Sequence, residues 1–507
     1  MLARVLSAAP WGIDARLVQV EVDLRLGLPQ MHMVGLADTA VRESRERVRT
    51  AVKNCGFELP PRVVVINLAP ADVKKEGNHL DLAIAVALLV AHEKLPEECL
   101  AGKIICGELG LSGELRPIRG ALAIADLASR LGAEEILLPA ANAAEAAALR
   151  AVPVAGAAGL DQAIEHLLGK CKLPPQPLDT SGSAVKAKIP DLAEVQGQES
   201  AKRALEVAAA GSHNLLFIGP PGSGKTMLAR RMPGLLPDLT REEAIEVTKI
   251  HSLVAERPQE GLVRTRPFRS PHPNSSTSGI VGGGSIPKPG EATLAHAGVL
   301  FLDEFPEFRR DALEALRQPL EEGTITIVRA RARVSFPARF TLLAAMNPCP
   351  CGHLGDPRHE CECTPSSVLR YHQRVSGPLL DRIDLHVEVP AVSLVDLKGR
   401  SGEASHTVAQ RVAHARQRQR LRAGSSATTI WNANLTPVQV RQACRLGSAA
   451  QKLLDTAFDK LGLSARALHR VLKVSRTLAD LTGSEKIRSS HIAEAIQYRS
   501  LDRRMES

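Results

Sequence analysis

Hydrophobic and polar residues alternate in parts of the first 170 residues, and the pattern predicts a series of elements. Residues 18–24 read V-Q-V-E-V-D-L, the period of two that is typical of a half-buried strand. A charged helix is predicted over residues 38–54, a second strand over 63–68 and a largely buried helix over 80–91. Together they predict a first domain over residues 1–170.

Short apolar runs further along the chain predict buried strands, and each run ends at a glycine or a polar residue. The runs are residues 215–218, 299–302 and 341–346. Unbroken apolar runs are typical of parallel strands covered on both faces. The pattern therefore predicts an α/β core over residues 191–395. Residues 171–190 are rich in Pro, Ser and Gly and predict a linker. Residues 396–507 predict a mainly helical domain.

The first apolar run leads into a glycine-rich loop that fits the phosphate-loop pattern G-x-x-x-x-G-K-[ST]. The loop is Gly219-Pro220-Pro221-Gly222-Ser223-Gly224-Lys225-Thr226. Such a loop turns its backbone N–H groups towards phosphate oxygens, and the following helix points its positive end at the same charge. Lys225 is expected to reach the β- and γ-phosphates of ATP and Thr226 to ligate Mg²⁺. A chance glycine-rich turn is the alternative, which the strand before the loop and the helix after it disfavour.

The second apolar run ends in two acids, as a Walker B strand does. Residues 299–304 read V-L-F-L-D-E. Asp303 is expected to hold Mg²⁺ through water, and Glu304 to orient or deprotonate the attacking water. An apolar run before two acids is weak on its own, but after a phosphate loop it indicates ATP hydrolysis.

Four of the nine cysteines lie within fifteen residues, in two C-x-C pairs. They are Cys349, Cys351, Cys361 and Cys363. Four thiolates suit one tetrahedral Zn²⁺, which would be structural because no coordination position stays open. His353 and His359 are substitute ligands, and four reduced, free cysteines are the alternative.

Composition limits the kind of partner. A net charge of +9 permits a polyanion, whereas 3% aromatic residues leave few platforms for stacking bases. The longest apolar stretch, residues 82–91, is far shorter than the roughly 20 residues that span a membrane. The N-terminus lacks the layout of a signal peptide. We therefore expect a cytoplasmic protein without membrane contact.

Several segments of the first domain resemble the N-terminal domain of Mg-chelatase-like AAA+ proteins, the ComM/YifB family. They are Gly35-Leu36-Ala37-Asp38, Val41-Arg42-Glu43-Ser44, Asn67-Leu68-Ala69-Pro70-Ala71-Asp72 and Lys74-Lys75-Glu76-Gly77. The resemblance implies a ribosomal S5 domain 2-like fold, shared with the proteolytic domain of Lon.

The residues do not support a Lon-type protease. The run that matches Lon's nucleophile position, Glu76-Gly77-Asn78-His79-Leu80-Asp81, contains no serine, and no lysine lies between Ile104 and Lys170. A Ser–Lys dyad therefore cannot form. His79 is expected to be a packed or capping histidine, and the domain to be structural or partner-binding.

The resemblance continues through the rest of the chain, in Gly377-Pro378-Leu379-Leu380-Asp381-Arg382-Ile383-Asp384 and Leu463-Ser464-Ala465-Arg466-Ala467-Leu468-His469-Arg470. It implies a P-loop AAA+ core followed by a helical lid domain. It also implies Asn347 as sensor 1, Arg466 as sensor 2 and Arg382 as an arginine finger that reaches a neighbouring subunit. Such a finger requires a ring, usually a hexamer. A local ion pair is the alternative for Arg382.

A predicted hairpin before Asn347 resembles one that touches DNA in helicases of the same AAA+ group. Its tip carries Arg329, Arg331 and Arg333, which suit contacts to phosphates. A solvated edge hairpin is the alternative. The long polar segment over residues 251–290 resembles the insertion that faces the pore in this group.

The family resemblance implies a hexameric DNA motor that drives branch migration in homologous recombination and natural transformation. The basic charge agrees with a DNA partner. A chelatase-type ATPase that remodels a partner is one rival, although its subunit is not expected to carry the first domain. A protein-remodelling ATPase without DNA activity is the other.

Overall fold

The computed structural model describes residues 2–35, 39–71, 75, 77–176, 189–254, 261–284, 287–329, 332–392, 402–424, 431–461 and 464–499. The chain forms two compact units. The first consists of Met1–Val185 with Thr240–Arg264, and the second of Lys186–Leu239 with Thr265–Ser507. The predicted linker lies largely outside the described residues.

The first unit contains a four-stranded sheet in the order Leu2–Trp11, Asp14–Arg25, Val63–Ala69 and Gln30–Val34. The first three strands are antiparallel neighbours, and the fourth runs parallel to the third. Val18, Val20 and Val22 are fully buried, which confirms the predicted alternation. A second, parallel sheet consists of Lys103–Ile105, Glu135–Pro139 and Val154–Ala157, beside a short hairpin of Glu108–Leu109 and Leu115–Arg116.

Helices cover both sheets of this unit. They include Thr39–Asn54, Asp81–Ala91, Ala121–Arg130, Ala140–Ala147, Leu160–Leu167 and the 3₁₀ turn Glu97–Leu100. Every residue of Asp81–Ala91 is buried, which confirms the predicted buried helix. The S5-like classification of this unit stays a prediction.

One further helix of the first unit, Arg241–Ser252, comes from a distant part of the chain. It begins at a capping box in which Thr240 and Glu243 satisfy each other's backbone N–H groups. Lys249 donates to Asp126 at 2.8 Å and to Asp14 at 3.2 Å. The sequence boundaries assigned this helix to the ATPase core, whereas its charged partners come from the N-terminal residues.

The second unit is built on a five-stranded parallel sheet. Its strands lie in the order Phe268–Arg269, Val299–Leu302, Thr341–Met346, Leu215–Ile218 and Leu385–Glu388. The three predicted apolar runs are therefore confirmed as strands of one sheet. Because all five are parallel, the residues that follow them meet at one edge, where ligands of open α/β sheets bind.

The helices around this sheet include Glu199–Gly211, Lys225–Ala229, Met232–Leu235, Thr277–Val281, Glu291–Leu294, Arg310–Ala315, Arg317–Glu322, Pro365–His372 and Gly377–Leu380, with 3₁₀ turns at Leu192–Glu194 and Phe305–Glu307. The C-terminal region is helical, as expected, with Ser405–Ala423, Pro437–Ala443, Ser448–Leu461, Ala465–Leu481, Ser489–Gln497 and the turn Asn432–Asn434. In the described part of the chain, no helix has the length and apolar character needed to cross a membrane.

Candidate nucleotide site and metal cluster

The phosphate loop connects the buried strand Leu215–Ile218 to the helix Lys225–Ala229. Gly222 and Gly224 have φ angles of 74° and 94°, a left-handed conformation that glycine adopts without strain. A Cβ atom at either position would meet no atom within 4 Å. The loop therefore has open space on the side that a side chain would otherwise occupy.

Ser223 shows that the loop is built for a ligand that accepts hydrogen bonds. Its hydroxyl group is buried, and within the described residues it has no hydrogen-bond partner. Leaving a buried hydroxyl unpaired is costly, and phosphate oxygens would supply the missing acceptor. The residues of the loop therefore fit ATP.

Lys225 is fixed at the mouth of the loop by three oxygen atoms. Its ammonium group donates to the carbonyl oxygens of Gly219 at 2.6 Å and Pro220 at 2.8 Å, and to Asn347 Oδ1 at 3.2 Å. Burial lowers the pKa of Lys225 to about 8, a shift that the negative charge of Asp303 partly opposes. The structure thus brings Lys225 and Asn347, the expected sensor 1, into direct contact.

The lowered pKa makes nucleotide binding a proton-linked event. Phosphate charge beside Lys225 favours its charged form, so binding should raise its pKa above 8 and take up a proton at alkaline pH. ATP affinity should therefore fall as pH rises above about 8, by up to roughly 10-fold per pH unit. Calorimetry near pH 9 in two buffers of different ionisation enthalpy should show uptake approaching one proton per site. Equal uptake by Lys225→Met would assign the proton to another group.

Thr226 and Asp303 form the second half of the site. Thr226 Oγ1 donates to Asp303 Oδ2 at 2.6 Å, which places a hydroxyl and a carboxylate side by side. These hard oxygen ligands are the kind that Mg²⁺ prefers, so the pair fits the expected ion.

Glu304 follows Asp303 in an exposed position. Its backbone N–H donates to Asp303 Oδ1 at 3.0 Å, and its φ angle of 53° is left-handed, which is uncommon for glutamate. Local strain of this kind is concentrated at functional positions. The expected catalytic role of Glu304 stays a prediction.

Arg382 pairs with Glu321 and donates to the carbonyl oxygen of Pro378 in its own chain. The side chain is only 9% exposed. Burial lowers its pKa, and the positive charges of Arg317, Arg466 and Arg470 lower it further. The local ion pair that sequence reasoning left open thus exists in the single chain, with Glu321 rather than with a flanking aspartate. Among the described residues, Arg382 and Arg466 make no hydrogen bond to Asp303.

A buried network that sequence reasoning missed connects the Arg382 segment to the helix Ala465–Leu481. Asp384 accepts from Arg470 Nη1 at 2.6 Å and lies 3.1 Å from His213 Nδ1, and His213 Nε2 is 2.7 Å from Thr477 Oγ1. Burial alone would raise the pKa of Asp384, but Arg470 and His213 outweigh it and hold that pKa well below its usual range. The D-R-I-D spacing was the signal for this second aspartate.

Replacing Asp384 with asparagine should destabilise the second unit, because Arg470, whose side chain is 19% exposed, would keep a largely buried charge without its counter-charge. The expected loss is about 3 kcal/mol, and ATP turnover should fall with it because Arg382 and Arg466 lie on the connected segments. Unfolding can be followed through Trp431 in a Trp11→Phe background, since the chain has two tryptophans. Asp381→Asn is the matched control in the same segment. Equal stability of the two variants would contradict the network's role.

The four cysteines converge as predicted. Their sulfur atoms lie within 4.8 Å of one another, with Cys349–Cys351 at 3.4 Å and both Cys349–Cys361 and Cys351–Cys361 at 3.7 Å. Zn–S bonds of about 2.3 Å in a tetrahedron separate neighbouring sulfurs by about 3.8 Å, so the cluster fits Zn²⁺. The backbone N–H of Leu354 donates to Cys349 Sγ at 3.3 Å and that of Cys351 to Cys363 Sγ at 3.4 Å, contacts that favour thiolates.

The predicted hairpin is present as Thr324–Arg329 paired with Ala332–Pro337. Arg333 and Val328 are exposed on it. Arg331 and the side chain of Arg329 lie outside the described residues. The expected DNA contacts therefore stay predictions.

Several arginines outside the hairpin form contacts within the chain. Arg266 donates to the carbonyl oxygens of Pro237 and Ala297 at 2.7 and 2.6 Å. Arg269 forms a bidentate salt bridge with Glu291 at 2.6 and 2.8 Å. On the arginine-rich helix Ser405–Ala423, Arg411 pairs with Glu206 and Glu403, and Arg422 with Asp480. These four arginines are therefore already engaged within the chain.

The parallel sheet, the glycine loop with its buried lysine and the Thr226–Asp303 pair define a P-loop nucleotide-binding protein. Three family models match the chain: magnesium chelatase, subunit ChlI over residues 191–397, subunit ChlI of Mg-chelatase over 20–142, and the ChlI C-terminal region over 402–499. The chain belongs to the Mg-chelatase-like ComM/YifB family, and membership of this family suggests ATPase activity.

Two relatives align over nearly their whole length. The uncharacterized protein YifB of Escherichia coli is 46% identical, covering 99% of this chain and 98% of the relative. The competence protein ComM of Haemophilus influenzae is 45% identical, covering 100% and 99%. A shorter match, to the DNA replication licensing factor mcm6 of Dictyostelium discoideum, is 26% identical over 41% of this chain and 23% of that protein.

Proposed function

We propose that this protein is an ATP-hydrolysing DNA motor that assembles into a hexameric ring and drives branch migration in homologous recombination and natural transformation. The full-length similarity to a competence protein, combined with the phosphate-loop geometry, carries the proposal. The partial similarity to a DNA replication licensing factor supports DNA as the partner.

The chain's own groups divide the ATPase chemistry between them. The loop N–H groups, Ser223 and Lys225 bind and orient the phosphates. Glu304 accepts the proton of the attacking water, and Asn347 orients the terminal phosphate. Thr226 and Asp303 would hold Mg²⁺, which neutralises phosphate charge when bound.

Ring assembly gives Arg382 its role. Arg317, Arg466 and Arg470 lie close enough to Arg382 to lower its pKa, with Glu321 as its paired acid. Like charges gathered in this way favour an anion, and the phosphates of a neighbouring subunit's ATP would supply one. In the ring, Arg382 leaves Glu321 and contacts that nucleotide instead.

The deciding experiment measures ATP turnover with and without a four-way DNA junction, together with fluorescence-monitored junction movement at two salt concentrations. We expect DNA to stimulate turnover and ATP to drive junction movement, with both weakened by salt. ATP turnover that DNA does not change, together with junctions that do not move, would rule out a DNA motor. It would favour a chelatase-type or protein-remodelling ATPase, which the chelatase family matches keep as the second candidate.

Replacing Arg331 and Arg333 with alanine should weaken DNA binding while basal ATP turnover stays intact. Two lost phosphate contacts should lower the slope of log affinity against log salt by about 2. Arg309→Ala with Arg310→Ala removes two exposed charges elsewhere in the same unit and is the control. An unchanged salt slope in the hairpin variant would move the DNA contact elsewhere.

A further inference from the structure

The loop between the two cysteine pairs contains a second cluster of potential metal ligands. His353, Asp356 and His359 each present a ligand atom, and these atoms lie within 4.8 Å of one another. The two imidazole rings are 4.8 Å apart between centroids and inclined by 35°. These residues form a group separate from the four thiols.

Both imidazoles place Nδ1 near the same carboxylate oxygen. Asp356 Oδ2 lies 3.7 Å from His353 Nδ1 and 3.3 Å from His359 Nδ1. Nitrogen and oxygen ligands bind Zn²⁺ at about 2.0–2.2 Å, which separates neighbouring ligands of a tetrahedron by about 3.3–3.6 Å. The two separations from Asp356 lie at the lower end of this range and just beyond its upper end.

A simple ion pair explains only part of this arrangement. His359 can hydrogen-bond to Asp356, but His353 Nδ1 is shielded from solvent and has no hydrogen-bond partner among the described residues. An unpaired buried nitrogen is costly. A cation between the three groups would satisfy both nitrogens and the carboxylate together.

The backbone fixes the carboxylate in place. The Asp356 side chain is only 3% exposed, its Oδ1 accepts the Arg358 N–H at 3.0 Å, and its own N–H donates to the His353 carbonyl oxygen at 3.0 Å. Oδ2 therefore remains directed at the two histidines. Outer hydrogen bonds of this kind orient the ligands of metal sites.

We propose that His353, Asp356 and His359 bind a second divalent transition-metal ion, distinct from the ion at the four cysteines. Imidazole and carboxylate ligands suit Zn²⁺ and related ions. Three protein ligands leave one position open, in contrast to the closed thiolate site. During dialysis against a mild chelator, the ion at His353, Asp356 and His359 should dissociate before the ion at the four cysteines.

The test uses the full-length protein without a histidine tag, saturated with Zn²⁺ and then freed of unbound metal. We expect about two zinc ions per chain in the wild type and about one after His353→Ala with His359→Ala. Asp356→Asn should also lose one ion, since asparagine keeps the acceptor for Arg358 but lacks the charge. Loading with Co²⁺ distinguishes the sites, because only the cysteine site gives thiolate-to-cobalt charge-transfer absorption.

The control is His406→Ala with His414→Ala, two exposed histidines on the helix Ser405–Ala423. It should keep both ions. One zinc ion per wild-type chain, or two in the variants of the cluster, would overturn the proposal. So would loss of the thiolate–cobalt absorption in all the variants of the cluster, because the three residues would then only support the loop.

Discussion

Replacing Lys225 with alanine is expected to lower ATP turnover by at least about 100-fold. Three oxygen atoms at 2.6–3.2 Å hold the ammonium group at the edge of the sheet where the strand ends meet. A charge fixed there stabilises the negative charge that develops on the transferred phosphoryl group, and water at the same place would have to reorient to do so. Phosphate release by the purified variant measures the effect.

The same variant should still fold. Burial lowers the pKa of Lys225, so the charged form is disfavoured in the folded chain relative to the unfolded one, and removing the charge relieves that cost below pH 8. The loss of three hydrogen bonds opposes this gain, so thermal unfolding should change little. Lys452→Ala, an exposed lysine on the helix Ser448–Leu461, controls for loss of charge. Turnover at the wild-type rate in a contaminant-free Lys225→Ala preparation would refute the nucleotide site.

Features that depend on residues close together along the chain could be predicted from the sequence. The loop from Gly219 to Thr226 fixes its own geometry, because strand, glycines and helix follow one another without interruption. The cysteine cluster is similar, since a nine-residue loop between two C-x-C pairs can hardly keep the four sulfurs apart. The buried helix Asp81–Ala91 followed from its apolar run.

Features that depend on distant partners could not be predicted. The helix Arg241–Ser252 has an ordinary amphipathic pattern, and only contacts with residues distant along the chain, such as Asp14, Asp126 and Leu149, assign it to the first unit. Local pattern does not encode which of several apolar surfaces such a helix will cover.

The sequence predicted least well which positive charges remain unpaired at the surface. The helix Ser405–Ala423 contains five arginines, yet two of them, Arg411 and Arg422, are paired with Glu206, Glu403 and Asp480. These acids lie between 8 and 205 residues away along the chain from their partners. A basic surface patch can therefore be identified only after the ion pairs are known.

The backbone conformation of Glu304 is not explained by packing. The left-handed φ angle of 53° costs a non-glycine residue on the order of 1 kcal/mol, and the side chain is exposed rather than packed. The backbone N–H of Glu304 meanwhile donates to Asp303 Oδ1 at 3.0 Å, so the residue itself lies next to the expected Mg²⁺ ligand. Strain with little packing agrees with the expected catalytic role, which substitution by glutamine can test without changing the backbone.

Glu304→Gln should therefore bind ATP with nearly wild-type affinity and hydrolyse it at least about 100-fold more slowly, because glutamine keeps the shape of the side chain but cannot accept a proton. Binding of a fluorescent ATP analogue and single-turnover phosphate release separate the two steps. Glu307→Gln is the matched control, since Glu307 is exposed three residues later and pairs with Arg374 at 2.7 Å. If affinity and turnover fell together in Glu304→Gln, the carboxylate would serve nucleotide binding rather than proton transfer, and another group would have to activate the water.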